Sequence, residues 1–142
     1  MKKKKQITPA KSKKKADKFF SLWVRMKDSD DMGMVSCFTC GCRKHYKEMH
    51  AGHYIPRNIL TTRWDDRNVK PQCPGCNLFG GGKPDIFAIE LMAMYSKDIL
   101  QELHDLRNSI RPMKQYEFEE IAMEYKNKVK QLTQEKGDIL EG

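Results

Sequence analysis

Cys37-Phe-Thr-Cys40 and Cys73-Pro-Gly-Cys76, the second running directly into Asn77, decide how this chain folds. Each is a C-x-x-C knuckle, and 32 residues separate them. Two-residue spacing lets both thiolates of a knuckle reach one ion while the backbone amides between them face the sulfurs. Cys37, Cys40, Cys73 and Cys76 together make the tetrahedral four-thiolate shell of a closed, structural zinc site. The gap is longer than in a zinc ribbon, so a substantial element lies between the knuckles. Zinc–thiolate sites contribute about 10–16 kcal/mol of apparent binding energy in peptides. That offsets a lean apolar content, 39% hydrophobic against 32% charged. Five cysteines are an odd number, and neither C-x-x-C lies in a βαβ pattern, which argues against a disulfide framework or a redox motif. Cys42 is left over as a bystander.

Between the knuckles stands His50-Ala-Gly-His53, followed by Tyr54-Ile-Pro-Arg57. Residues 49–56 and 68–73 suit two strands, with an Arg- and Asp-rich loop over 57–67. Strand alternation puts His50 and Gly52 on one face and His53 on the other. Asn68 opens the second strand, and Asn77 follows a knuckle that fixes its backbone. Arg57, Arg63, Arg67, Lys70 and Lys83 are candidate phosphate contacts. Trp64 reads as core packing, and His104 lies in a helical stripe far from the motif.

A histidine ending one strand, an asparagine opening the next and an asparagine after a second knuckle resemble the HNH signature. In that family two strands and a helix clamp a divalent metal against the scissile phosphate. The resemblance implies His53 as general base, Asn68 as the residue that orients the loop, and Asn77 as ligand of a catalytic Mg²⁺ or Mn²⁺. A four-cysteine zinc site paired with a final Asn is similar to the endonuclease VII type. The stretch from Phe20-Ser-Leu-Trp-Val-Arg through Ala51-Gly-His-Tyr-Ile and Arg63-Trp-Asp-Asp-Arg-Asn-Val to Gln72-Cys-Pro-Gly-Cys-Asn77 resembles the NinG/Rap family more narrowly. These are recombination nucleases of lambda-like phages acting on Holliday junctions and D-loops. The similarity covers roughly residues 19–95. It implies a metal-dependent endonuclease for branched DNA on an α+β, ββα-metal core. Many HNH enzymes carry an acid or histidine immediately before the base, where this chain has Gly52. His50, Asp65, Asp66 or water are the alternatives for the second ligand, and His50 is equally a residue that supports the ligands from behind. A zinc-dependent DNA-binding module without catalysis, and an HNH nuclease acting on linear duplex, are the rival functions.

Charge agrees with a polyanionic partner. The net charge is +8, and residues 1–15 carry eight lysines with no acid, leaving 19 basic against 19 acidic residues elsewhere. Residues 37–83 hold eight Arg/Lys against three acids, and residues 84–142 eight against twelve. Positive charge thus gathers at the start of the chain and around the cysteines. Residues 1–15 read as a flexible lysine-rich arm, 16–110 as the nuclease domain with flanking helices, and 111–142 as a C-terminal element. Phe19, Phe20, Trp23 and Val24 stripe a helix over 16–27, and residues 34–42 read as one strand into a turn. Gly80-Gly81-Gly82 is a break before one or two helices, with Ile86, Ile89, Met92, Met94, Ile99 and Leu103 as their apolar residues. The last helix, from about 115 to 136, has Phe118, Tyr125 and Leu132 in heptad-like register, for packing on its own domain or for a homodimer. A secretory h-region is not visible and no apolar run could span a bilayer. The expectation is a soluble protein of the cytoplasm, the host's if phage-encoded.

Overall fold

Thr8-Pro9 starts the first helix. In the computed structural model, which describes residues 6–137, α1 runs Pro9–Met26. The Thr8 hydroxyl accepts the Lys11 amide, and Pro9 takes the first turn, where no amide donor is needed. The helix therefore begins seven residues before the expected position 16. Lys11, Lys13, Lys14 and Lys15 lie on it rather than on a flexible arm, while Lys2 to Lys5 fall outside the described residues. Ser12 is buried and donates to Glu119 Oε1 at 2.6 Å, and Lys15 pairs with Glu119 Oε2 at 3.4 Å.

Those contacts come from the last helix, α5 (Gln115–Lys136), which lies along α1. Phe118, Ala122 and Tyr125 meet Ala16, Phe20 and Val24 in one buried cluster with Trp64 and Val69. The Tyr125 ring meets Phe20 edge-on at 4.8 Å and lies 5.2 Å from Trp23. Aromatic pairs of this kind add about 0.5–1.5 kcal/mol beyond area burial. The heptad-like stripe of α5 is thus occupied within the chain, with Val129 and Leu132 packing near the cysteines.

The mixed α+β body between these helices contains two small antiparallel sheets. β1 (Met34–Ser36) pairs with β2 (Arg43–His45), and the first knuckle occupies the turn between them. The single strand expected over 34–42 is therefore a hairpin, whose second strand is polar because its side chains face largely outward. β3 (His50–His53) pairs with β4 (Val69–Gln72), setting His50 opposite Gln72 and His53 opposite Val69. Between them the loop contains one turn of helix, α2 (Leu60–Arg63), centred on buried Thr62.

After the second knuckle come α3 (Pro84–Met94) and α4 (Ile99–Asn108). They bury Phe87, Leu91, Ile99 and Leu103 with Ile55. Ile86, Ile89 and Met94, among the apolar residues from which the helices were expected, are exposed. α3 is apolar nearly all round, so its sequence does not say which face turns inward. No helix of the described residues is long and apolar enough to cross a membrane.

Because α5 shares its core with α1, Phe118→Ala is expected to lower unfolding free energy by about 3–5 kcal/mol. Urea denaturation followed by circular dichroism checks this. A change below about 0.5 kcal/mol would show the last helix to be a separable tail.

Candidate metal centre and adjoining basic cleft

The sulfurs of Cys37, Cys40, Cys73 and Cys76 lie within 4.8 Å of one another, with Cys40 and Cys73 Sγ 3.7 Å apart. Four thiolates about 2.3 Å from a central zinc would stand roughly 3.8 Å apart, so the donor set fits a structural ion. Backbone amides also reach the sulfurs, from Cys73 to Cys37 Sγ at 3.3 Å and from Cys76 to Cys73 Sγ at 3.4 Å. Burial opposes the Cys37 thiolate. The Cys73 amide, the Thr39 hydroxyl and the Cys40 and Thr39 amides outweigh it and bring the thiol down to about 6. Cys42 lies outside this set. All five cysteines are free thiols.

Closure of the second knuckle also sets the path of the chain beyond it. The Asn77 amide donates to the Cys73 carbonyl at 2.9 Å, and the turn Gly75–Phe79 carries the Asn77 side chain back to β3. There its Nδ2 donates to His50 Nδ1 at 3.0 Å. His50, Asn77 and His53 all line one cleft of about 650 Å³, together with Asp17, Arg25 and Arg57. Strict alternation along β3 would separate the two histidines. β3 pairs on one edge only, with β4, and its other side is open to the cleft.

His53 is oriented from behind. Its Nε2–H donates to the Arg63 carbonyl at 2.9 Å. In the neutral ring this leaves Nδ1 as the lone-pair nitrogen. Burial holds its pKa below the ordinary 6.5, against the Arg63 and Ala51 carbonyls, which favour the protonated ring. Arg57 adds to the lowering and Asp17 opposes it. Asp17 also grips the segment that carries that carbonyl. Its carboxylate accepts Arg63 Nε at 3.0 Å and Nη2 at 2.6 Å, and Trp64 Nε1 at 3.0 Å.

Asn68 is fully buried and ties the ends of the β3–β4 connection together. Its Oδ1 accepts the Ile55 amide at 2.7 Å, and its Nδ2 donates to the Ile55 and Thr62 carbonyls, each at 3.1 Å. Gln72 does comparable work below the cleft, donating to Thr39 Oγ1 at 3.1 Å and the Gly82 carbonyl at 2.9 Å. Its side chain covers Gly52, where any Cβ would collide with Gln72 Oε1. A larger residue at 52 would have to displace the Gln72 side chain, and glycine leaves it in place.

The basic residues expected to meet DNA divide. Arg57 lines the cleft, and Lys83 is exposed beside it, next to Gly82. Arg63 is engaged by Asp17, and Arg67 by Asp65 at 2.7 Å and Glu102 at 3.5 Å. Lys70 corrects the expectation. It is buried against the Tyr95 hydroxyl, and desolvation brings its pKa down to about 8. Both faces of β4 are covered, so a lysine there meets the interior. Asp65 and Asp66, alternatives for the second ligand, line a different cleft of about 630 Å³. Two cleft residues escaped the sequence reading. Asp17 lies 46 residues from its partner Arg63. Arg25 on α1 donates from Nη1 to the Tyr46 carbonyl at 3.0 Å and from Nε to the Ser21 carbonyl at 3.1 Å. No local pattern signals either one.

The NinG family, described as the bacteriophage lambda NinG protein, matches residues 1–135. Protein ninG of Escherichia phage lambda is 27% identical over 120 residues, covering 84% of this chain and 56% of its own. Protein ninG of Escherichia phage 933W is also 27% identical over 120 residues, 57% of its length. The chain thus spans a little over half the length of the curated relatives it matches. No solved structure matches it.

Two outcomes are expected from the geometry. The purified protein should carry about one zinc per chain by elemental analysis, and Cys73→Ser should abolish the folded circular dichroism signal. Gly52→Ala should be destabilised by about 1–3 kcal/mol in urea denaturation, because Gln72 must be displaced. A folded, zinc-free Cys73→Ser protein would overturn the first, and a Gly52→Ala protein of unchanged stability the second.

Proposed function

This chain belongs to the NinG family, and from the chemistry of its cleft we propose that it is a metal-dependent DNA endonuclease cutting branched DNA by phosphodiester hydrolysis. One observation carries the reading. His53, its Nε2 engaged and its pKa lowered by burial, shares a basic cleft with the His50–Asn77 pair.

In this mechanism His53 Nδ1 takes a proton from the attacking water, and the Arg63 carbonyl keeps the ring in the tautomer that can do so. Arg57 faces the substrate as a phosphate contact, and Arg25, already held by two carbonyls, keeps the cleft positive. Asn68 carries no chemistry itself and keeps the loop, and with it the Arg63 carbonyl, in register. Asn77 and His50 are the residues that would hold Mg²⁺ or Mn²⁺. The Asn77 amide can present oxygen after rotation, and His50 offers Nδ1 beside it. That is a sparse neutral donor set, suited to an ion that keeps waters and takes phosphate oxygens for the rest of its coordination. When bound, such an ion supplies electrostatic stabilisation to the charge that develops on the phosphate. Among the described residues the one carboxylate lining the cleft, Asp17, is engaged by Arg63 and Trp64. The preference for branched DNA rests on the family resemblance.

Single-turnover cleavage of a labelled four-way junction tests the reading. His53→Ala should slow cleavage by roughly 10²–10⁴-fold with DNA affinity and zinc content retained. Asn77→Ala should be slowed as well, with partial recovery at high Mn²⁺, whereas added metal should not rescue His53→Ala. The base must be unprotonated, and its pKa lies below 6.5. The wild-type rate should therefore already be level at neutral pH and fall only as pH drops through that lowered value. Undiminished cleavage by His53→Ala would sink the mechanism. Tight junction binding with no cleavage by the wild type would favour the non-enzymatic DNA-binding module.

A further inference from the structure

Phe79 is 89% exposed, and its neighbour Leu78 is also largely in water. Exposed apolar residues are common, but this one sits where flexibility cannot explain it. It ends the turn Gly75–Phe79, which begins inside the second cysteine knuckle. The Gly80 amide donates to the Gly75 carbonyl at 2.8 Å, and the Gly82 amide to the Cys76 carbonyl at 2.9 Å. The chain on both sides of the ring is thereby pinned to the cysteine cluster. Asn77 before it and Gly81 and Gly82 after it line the basic cleft, and Lys83 follows in exposed, left-handed backbone. An aromatic ring is thus held out into solvent at the edge of a cleft whose cations suit phosphates.

We propose that Phe79 is a stacking platform for a nucleobase freed from its helical stack next to the phosphate held in the cleft. The inference rests on reading the cleft as a DNA site and adds to it the feature of the substrate that this protein reads. Within continuous duplex both faces of every base are covered by neighbours, and Phe79 has nothing to stack on. A free base face appears where stacking ends, at a fork, a gap or the crossover of a junction. Every base has a π-face, so the contact selects structure without selecting sequence. Arg25, Arg57 and Lys83 supply the charge complementarity that brings a polyanion, rather than an apolar protein surface, to this edge.

The test compares a forked DNA, with 2-aminopurine as its first unpaired base, against a linear duplex of the same paired sequence. The full chain is used with its cysteine site intact and with no added Mg²⁺ or Mn²⁺, so that binding is read without cleavage. Wild-type protein should quench the 2-aminopurine emission. Phe79→Ala should abolish the quenching and weaken fork binding about ten-fold, leaving duplex binding within two-fold. Phe79→Trp should restore both. The ring is exposed, so these variants are expected to unfold like wild type, and matched urea transitions check that. Equal losses on fork and duplex, or no loss on either, would overturn the proposal. So would a change in sedimentation coefficient confined to Phe79→Ala, which would assign the ring to a contact between protein chains. An inert His53→Ala phenotype would remove the cleavage mechanism yet leave this binding difference standing, so the two failures are distinguishable.

Discussion

Four sulfurs drawn within 4.8 Å of one another tie residue 37 to residue 76, and the return of Asn77 to β3 follows from that tie. His50 stands opposite Gln72 in the β3–β4 register, one residue before the second knuckle begins. The knuckle then reverses the chain, and Asn77 returns to the residue across the strand from which it left. The neighbours of Asn77 contribute little burial of their own, Phe79 being 89% exposed, so the turn is held by the knuckle and by the hydrogen bond from Gln72 to the Gly82 carbonyl. A chain with 39% hydrophobic residues thereby builds a precise cleft wall from a four-residue strand pair. Structural metal sites act in this way, because the ligands exchange burial energy for coordination energy at a defined point.

The other wall belongs to α1. Its apolar face is covered by α5, which fixes the helix, and its polar edge delivers Asp17, Ser21 and Arg25 to the cleft. Asp17 serves two ends at once. It neutralises Arg63 at the back of the cleft and, through that segment, positions the carbonyl that accepts from His53. A free carboxylate in the same spot would raise the histidine's pKa and compete with phosphate for the cations. Engaged by a bidentate guanidinium and an indole N–H, it does little of either. The burial that lowers the pKa of His53 is therefore not undone by the acid nearby.

What the sequence made legible was local and covalently spaced. C-x-x-C spacing identifies thiolates able to converge, and turn residues bound two strands between them. Asn68, at the mouth of the second strand, is buried with three hydrogen bonds to the loop it was expected to organise. The features that escaped depend on which surfaces meet in three dimensions. The pairing of Asp17 with Arg63 needs α1 to meet the end of α2, which no periodicity encodes. α3 is too uniformly apolar to carry an orientation, so Phe87 and Leu91 could not be separated from Ile86 and Ile89. Lys70 sits on a strand covered on both faces, where charge argues for the surface and the fold overrules it. The start of α1 is a different kind of miss. Thr8-Pro9 is a legible cap, and the lysines that follow it suit a helix face turned to water as well as a solvated arm.

Charge segregation, visible in the sequence as a basic middle and an acidic end, recurs at the scale of individual clefts. Two openings of similar size flank the loop 54–67. One is walled by Arg25, Arg57, two histidines and Asn77, and the other displays Asp65 and Asp66 against the α4–α5 connection. Size alone does not choose between them. A phosphodiester brings a full negative charge, and two unit charges 4 Å apart near a protein surface interact by about 4 kcal/mol. Among the described residues of the second opening, Asp65 is paired with Arg67 and Asp66 with Lys27, so its one further cation, Arg111, stands beside carboxylates rather than beside a second free guanidinium. The first combines guanidiniums, which stay charged, with an imidazole whose pKa burial lowers. In the nuclease reading proposed above, the guanidiniums would meet the phosphate and the imidazole would take the proton from water.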